Sequence, residues 1–514
     1  MKKNIIAAIA AFSLLTLTLS CGDDFVERDP VYSISGENYF NSKDDYENAL
    51  IGVYDVLQSS YVNVMLGEIA SDNTLAGGES ATDTPGFHQV DDMSHTQVNP
   101  NLRDVWNWMF AGVSRANYIM EFQDKTDFEG REQIIAQTRF LRAYFHFELV
   151  KWFGGIPMKG DTRFVVGDET SIPRSTPEEV YASIEADLLY AIDNLPTGAQ
   201  ANGRVTVGAA RALLGKAYLY WATTGTGAQV GTATHPEKFA QAAAMLETVI
   251  QSNTYTLVQD YSTIFENDNE NNSESVFEIQ YTDAEGGSFG CLQCSEGNVA
   301  VGFNGPRGFN GPLFESGYSF NVPVQEVYDT FEEGDLRRDI AILNIQAFAD
   351  ANPTWNNGTD TPGVLYGEGY QHTGYFNRKY IPRVGDANQQ DVNLTNPNNY
   401  RSIRYADVLL MASEAFAKTG DDTKALLYLN MVRERAFGNS THNISASGAA
   451  LFTAIELERR RELVGEGHRF FDLVRTGRAA AKITGFTAGK NEVFPIPYEE
   501  MQFSNGNWTQ NIGY

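Results

Sequence analysis

Apolar positions recur every three or four residues along much of this chain, and the stripes they draw predict helices. Between Asp44 and Leu57, the residues Tyr46, Leu50, Val53 and Leu57 share one face. From Leu102 to Phe122 a second stripe takes in Val105, Trp106, Met109, Val113, Ala116 and Met120, which makes Trp106 a core residue. A third, starting at Arg131, turns Ile134, Phe140, Leu141, Tyr144, Phe145 and Leu149 inward and stops at Gly154, Gly155 and Pro157. His146 lies inside that helix and is expected to be a core or boundary histidine. Ser175 and Thr176 cap the next one, with Pro177 in its first turn and Glu178 and Glu179 at its positive end.

The pattern then comes in helix pairs. VGAARALLGKAYLYWA and PEKFAQAAAMLETVIQS form one, and IRYADVLLMASEAFAKTG with DDTKALLYLNMVRERA another. With Ala425 as the alanine of the second helix, Ser413, Phe416, Gly420, Leu429 and Val432 fall at the small, aromatic, turn and packing positions of a tetratricopeptide repeat. Leu214, Gly215 and Tyr218 repeat its L-G-x-x-Y signature. Insertions separate the pairs, so the solenoid is interrupted. The expected fold is all-α dominated: one body over 41–514, with a tetratricopeptide-like scaffold of helical pairs mainly in 133–259 and 400–480 and an irregular, loop-rich ligand lobe mainly in 260–399.

Elsewhere the periodicity fails or changes. VFEIQY, Val276 to Tyr281, alternates like a strand, and VPVQEVYDTFEEGDLRRDI reads as a capped helix. GEIASDNTLAGGESATDTPGFHQVDDMSHTQVN is too rich in Gly, Ser, Thr, Asp and Asn for either and is expected to be loop. Phe289, Phe303 and Phe309 punctuate a Gly-rich run, and Trp355, Tyr366, Tyr370, Tyr375 and Phe376 a later one. Aromatic loops on a rigid helical frame are a usual place for binding chemistry. Near the end, Leu457, Leu463 and Val464 precede a Gly-Glu-Gly break and Phe470, Phe471, Leu473 and Val474 follow it, as the buried face of two short helices. Glu458, Arg459, Arg460, Arg461, Glu462, Glu466, Arg469, Asp472 and Arg475 alternate in sign at helical spacings and are expected on a solvated, ion-paired face.

Charge narrows the partners. A net charge of -28 and a pI near 4.6 leave no basic footprint for a nucleic acid and suit a neutral or cationic ligand. Two lysines and an apolar run from Ile5 to Leu19 predict a signal peptide over 1–20, and Cys21 a lipoprotein cleavage site, although Thr18 replaces the preferred leucine. Acylation of Cys21 would leave a polar tether over 21–40 and anchor the protein by lipid alone.

Catalytic signatures are poor. Ser288 centres a G-x-S-x-G match at Gly286 to Gly290, but CLQCSEG cannot supply the helix that a nucleophile elbow needs. Cys291 and Cys294 have no second pair to complete a zinc site, which leaves a local disulfide or two free thiols. Asp268, Glu270 and Asn272 offer oxygen to calcium without the glycine of an EF-hand, which leaves calcium a weak candidate; no other cofactor or metal is expected. Sugar binding asks for less: flat rings for C–H faces, and amides, carboxylates or guanidiniums for hydroxyls. Trp355, beside Asn356 and Asn357, supplies both, with Tyr366 and Tyr370 next; Asp72, Asn73, Phe87 and His88 offer polar and aromatic groups in the first long loop.

The run ERRRELVGEGHRFFDLVRTG, followed by FPIP and a terminal QNIGY, resembles the C-terminal signature of the SusD/RagB family of outer-membrane glycan-binding lipoproteins, with Ile512 where proline is usual. RFLRAYFHFELVKWFGGIPM resembles another segment of that family, and Gly22, Asp23 and Asp24 resemble the acidic tag of lipoproteins moved to the outer leaflet. The resemblance implies a non-enzymatic cell-surface protein that captures oligosaccharides and sits as a lid on a SusC-like TonB-dependent transporter, with its repeats toward the transporter. It also places the loop carrying Asp72 to His88 beside the binding face. Acidic, amide and aromatic loops favour a neutral polysaccharide such as a β-glucan over a sulfated one. The rivals are an exported glycoside hydrolase on a helical frame and a repeat-based adaptor lipoprotein.

Overall fold

The computed structural model describes residues 38–198, 201–225, 230–284, 286–386 and 394–514; Cys21, the expected signal peptide and most of the tether lie outside them. Helix α1 (Lys43–Asp55) begins at a capping box between Ser42 and Asp45 and buries Tyr46, Leu50 and Val53. Leu57 falls in the 3₁₀ turn Val56–Ser60 that follows. The stretch expected to be loop, which begins at Gly67, holds the end of α2 (Tyr61–Ile69), strand β1 (Thr74–Gly77) and α3 (Pro85–Asp91) instead. Local composition misleads here because β1 pairs antiparallel with Phe320–Pro323, far along the chain.

The scaffold continues through α4 (Pro100–Glu121), α5 (Arg131–Phe153), α6 (Pro177–Asn194), α7 (Val207–Trp221) and α8 (Glu237–Gln251), each packed on the next. Thr176 caps α6 in a box with Glu179. His146 is buried in α5, and burial pushes its imidazole down to about 3, so it stays neutral.

The long insertion then begins with β2 (Ser275–Ile279) and contains β3 (Phe320–Pro323), β4 (Ile342–Asn344) and β5 (Tyr375–Asn377). It ends with β6 (Tyr400–Arg404), which pairs antiparallel with β2, so entry and exit are stitched together. Beyond it, α9 (Tyr405–Thr419) packs directly on α8 and on α10 (Asp422–Phe437), and the helical stack resumes. Ser413 Oγ donates to the Ala425 carbonyl at 2.7 Å, and Gly420 turns the chain at φ 85°. The single helix expected after Pro323 is broken into Gln325–Asp329 and Arg338–Ala341, because Gly334 takes φ 86° and Arg337 folds inward.

Helix α11 (Gly448–Leu463) and α12 (Arg469–Arg475) flank the Gly-Glu-Gly turn. The charged face expected in solvent is inside: Glu458, Arg459, Arg460, Arg461, Glu462, Glu466 and Arg475 are all buried. Residues distant in sequence neutralise it. Arg404 meets Glu466 at 2.7 Å and Glu462 at 2.9 Å, Arg337 meets Glu458 at 2.7 Å and Glu462 at 2.8 Å, and Lys379 meets Glu466 at 2.7 Å. Since Arg337 and Lys379 belong to the insertion and Glu458 and Glu462 to α11, the network fixes the lobe to the scaffold.

Gly467 shows how tight this junction is. At φ 84°, a Cβ there would lie 2.0 Å from the Asn63 carbonyl oxygen. Gly467→Ala is therefore expected to cost more than about 2 kcal/mol in chemical denaturation followed by tryptophan fluorescence. A loss under about 0.5 kcal/mol would show that the turn relaxes freely.

Candidate functional site

The insertion carries its own small core of Phe309, Phe314, Leu343, Ile345, Phe376 and Ile381, against which Phe348, Val364 and Tyr366 pack. This core holds the aromatic loops up. The loop from Asn352 to Gly363 is closed by hydrogen bonds: Gly363 N donates to the Trp355 carbonyl at 2.9 Å, and Asn357 Nδ2 donates to the carbonyls of Thr361 at 3.0 Å and Gly363 at 2.8 Å. Asn357 is thus a buried strut rather than a ligand group. Trp355 stands on this loop with 37% of its surface exposed, its indole Nε1 donating to Asn310 Oδ1 at 3.3 Å.

From Trp355 the surface continues through bonded neighbours. Asn310 and Leu365 exchange both backbone bonds, at 2.8 and 3.0 Å, and Gly367 N donates to the Arg307 carbonyl at 2.7 Å. Tyr366 is half-buried, its hydroxyl 3.2 Å from Gln346 Oε1. Tyr370 is exposed, tied by its N–H to the Gly78 carbonyl at 2.8 Å, and it meets the edge of His88 at 5.3 Å between ring centres. His88 Nε2 is buried with no hydrogen-bond partner among the described residues. Beneath them, Asp91 accepts from Ala76 N at 2.9 Å, and burial raises its carboxyl to about 6.

Sequence reasoning placed three further residues here that the structure uses internally. Asp72 accepts from Arg469 at 2.7 and 2.9 Å; burial works against its charge, but Arg469 and Arg460 outweigh that and hold its carboxyl below the usual range. Asn73 is fully buried between Arg460 Nε at 2.8 Å and Glu68 at 3.1 Å. Phe87 is a core ring, 5.5 Å from Phe320. Their polar atoms and ring face are spent on fixing the loop, so Trp355 and Tyr370 remain as the exposed groups, with Tyr366 and His88 half-buried.

Other residues join them. Arg307 pairs with Asp83 at 3.1 Å and lies over the Tyr318 ring, which is 5.9 Å from the exposed Phe289. Gly287 and Gly297 close Phe289's loop against Leu394 and Thr395, and Cys291 and Cys294 are bridged within it. A solitary phenylalanine flanked by glycines and a C-x-x-C was the available signal. Ser288 forms an isolated bridge with Cys291 and opens no helix longer than a 3₁₀ turn. Of the calcium candidates, Glu270 accepts from Asn399 N at 2.7 Å and Asn272 Oδ1 from Glu274 N at 2.9 Å.

Trp355, Tyr370 and Phe289 are thus exposed rings on braced loops, with amides and the Arg307–Asp83 pair among their neighbours, groups of the kind that a polyhydroxylated ligand can use. Comparison with known proteins gives the family. The profile of the SusD family matches residues 258–514, and one described as starch-binding, associating with outer membrane, matches residues 24–219. A solved laminarin-binding SusD-like protein is 34% identical, with 92% of this chain and 100% of that one covered and a TM-score of 0.80. Surface glycan-binding protein A from Bacteroides thetaiotaomicron, solved in complex with laminarihexaose, is 26% identical over 91% of this chain and 99% of its own, with a TM-score of 0.78. SusD-like protein P2 of Formosa agariphila is 26% identical over 548 residues, covering 98% of this chain and 99% of its own. The chain belongs to the SusD family.

Proposed function

We propose that this protein captures a neutral, laminarin-like β-glucan at the cell surface and passes it uncleaved to a SusC-like TonB-dependent transporter, anchored to the outer membrane by a lipid on Cys21. The observation that carries the reading is Trp355, a half-open indole on a loop whose backbone is closed by its own hydrogen bonds. Such a ring loses little freedom when a sugar stacks on it. Tyr370, Tyr366, His88 and Phe289 extend the face so that several glucose units can each gain a modest contact. Relatives that bind laminarin or laminarihexaose supply the substrate class.

Affinity electrophoresis in gels cast with laminarin, other neutral glucans and sulfated polysaccharides tests this. Retardation is expected with laminarin, with none in the sulfated gels. Migration unchanged in every gel would overturn the reading, and release of reducing ends from laminarin would favour a hydrolase.

A further inference from the structure

Apart from the loops just described, a cleft of about 400 Å³ lies between α4, the segment from Pro157 to Ile172 and the C-terminal residues. Its walls are Trp106, Phe110, Phe164 and Trp508. Trp106 lies 4.7 Å from Phe110 and 6.2 Å from Trp508, and Phe110 lies 5.9 Å from Phe164, ring centre to ring centre. The Trp508 indole is fixed by a 2.8 Å bond from Nε1 to the Ile172 carbonyl.

The charges in this box are two carboxylates, Glu169 and Glu500. Burial pushes the Glu500 carboxyl above its usual range, a hydrogen bond with the Trp106 side chain partly opposes this, and Glu169 and Glu499 add a smaller repulsion. Among the described residues neither Glu169 nor Glu500 is in an ion pair, whereas Glu499 is paired with Arg103 at 3.3 Å. A sugar hydroxyl would leave both carboxylates of the cleft without a counter-charge. A cation supplies that counter-charge and gains from the half-buried Phe110 and Phe164 rings, with Trp106 and Trp508 buried in the wall.

We propose that this cleft binds an organic cation, an alkylammonium or guanidinium group, with Trp106, Phe110, Phe164 and Trp508 as the surrounding rings and Glu500 and Glu169 as counter-charges. The cation can be a free amine or a Lys or Arg side chain of a protein partner. Val165, Val166 and Phe503, exposed and close in sequence to Phe164, Glu169 and Glu500, would give a polypeptide additional apolar contact.

Calorimetric titration of the mature full-length protein with choline, with its neutral isostere 3,3-dimethylbutan-1-ol, and with the blocked peptide acetyl-Val-Lys-Val-amide tests the site. Saturable choline binding is expected, about tenfold tighter than for the neutral alcohol, and weakened about tenfold in both Glu500→Gln and Glu169→Gln, while laminarihexaose binding is unchanged. A peptide that binds more tightly than choline assigns the site to a partner's side chain, and the reverse assigns it to a free amine; either supports the site. Equal binding of the alcohol, choline binding untouched in both variants, no saturation by any probe, or displacement of choline by laminarihexaose would overturn it.

Discussion

Replacing Arg404 by methionine is expected to lower the unfolding free energy by about 3–5 kcal/mol, the usual cost of removing one partner from a buried ion pair. Arg404 is 1% exposed, and its guanidinium serves three carboxylates at once: Glu466 at 2.7 Å, Glu462 at 2.9 Å and Glu274. Methionine fills much of the same volume, so the loss comes from charge rather than from a cavity. Lys379, Arg337 and Arg435 remain, but they already serve Glu466 and Glu462. A loss of that size is a large part of the 5–15 kcal/mol that holds a typical protein together. The insertion should loosen first, since Lys379 reaches the Gly-Glu-Gly turn and Arg337 reaches α11 through the same carboxylates. Limited proteolysis should therefore cut within 260–399 in the variant before the helices are touched. A denaturation midpoint equal to that of the parent protein would show that the network contributes specificity rather than stability.

The same network sets the acid limit. Burial works against the charge of Glu462, but Arg435, Arg404 and Arg337 outweigh it and hold its carboxyl well below the usual range. Asp407, facing Lys216 and Arg459, and Asp472, facing Arg459 and Arg475, are depressed in the same way. A carboxyl depressed on folding adds stability that is complete above its unfolded value, about 4, and is lost as pH falls through the folded value. Stability should thus fall below about pH 4, and Glu462→Gln, which removes one of these groups, should flatten the acid limb while lowering the plateau.

The helices were legible because each carries its own evidence: a stripe for α4, a cap at Thr176, a Ser413–Gly420–Ala425 pattern that closes α9 on α10. What escaped depends on partners distant in sequence. The charges of α11 have the spacing of a solvated face, and only the arrival of Arg337, Lys379 and Arg404 turns that face inward. Asn73 and Phe87 sit in a polar stretch that reads as loop, yet Arg460 and Phe320, both more than 200 residues further on, cover them. Trp355 stood out for the opposite reason, since nothing around it repeats at helical or strand spacing.

Trp355→Ala is expected to weaken binding of laminarin by about tenfold to thirtyfold, as for the loss of an aromatic anchor worth roughly 1.4–2 kcal/mol. Stability should change by no more than about 0.5 kcal/mol, because Trp355 stands outside the core of Phe309, Phe314 and Leu343 and, among the described residues, its indole N–H bonds Asn310 alone. Trp355→Phe keeps a flat face and should retain most of the affinity, which separates stacking from the Asn310 bond. Tyr370→Ala should have a smaller effect, since His88 already covers one side of that ring. Phe87→Ala runs the other way: a buried ring is lost, so stability falls by about 3–5 kcal/mol and any change in affinity follows from that. Laminarin affinity of Trp355→Ala within twofold of the parent, measured by titration on folded protein, would move the glycan to Phe289 and Tyr318 or away from this face altogether.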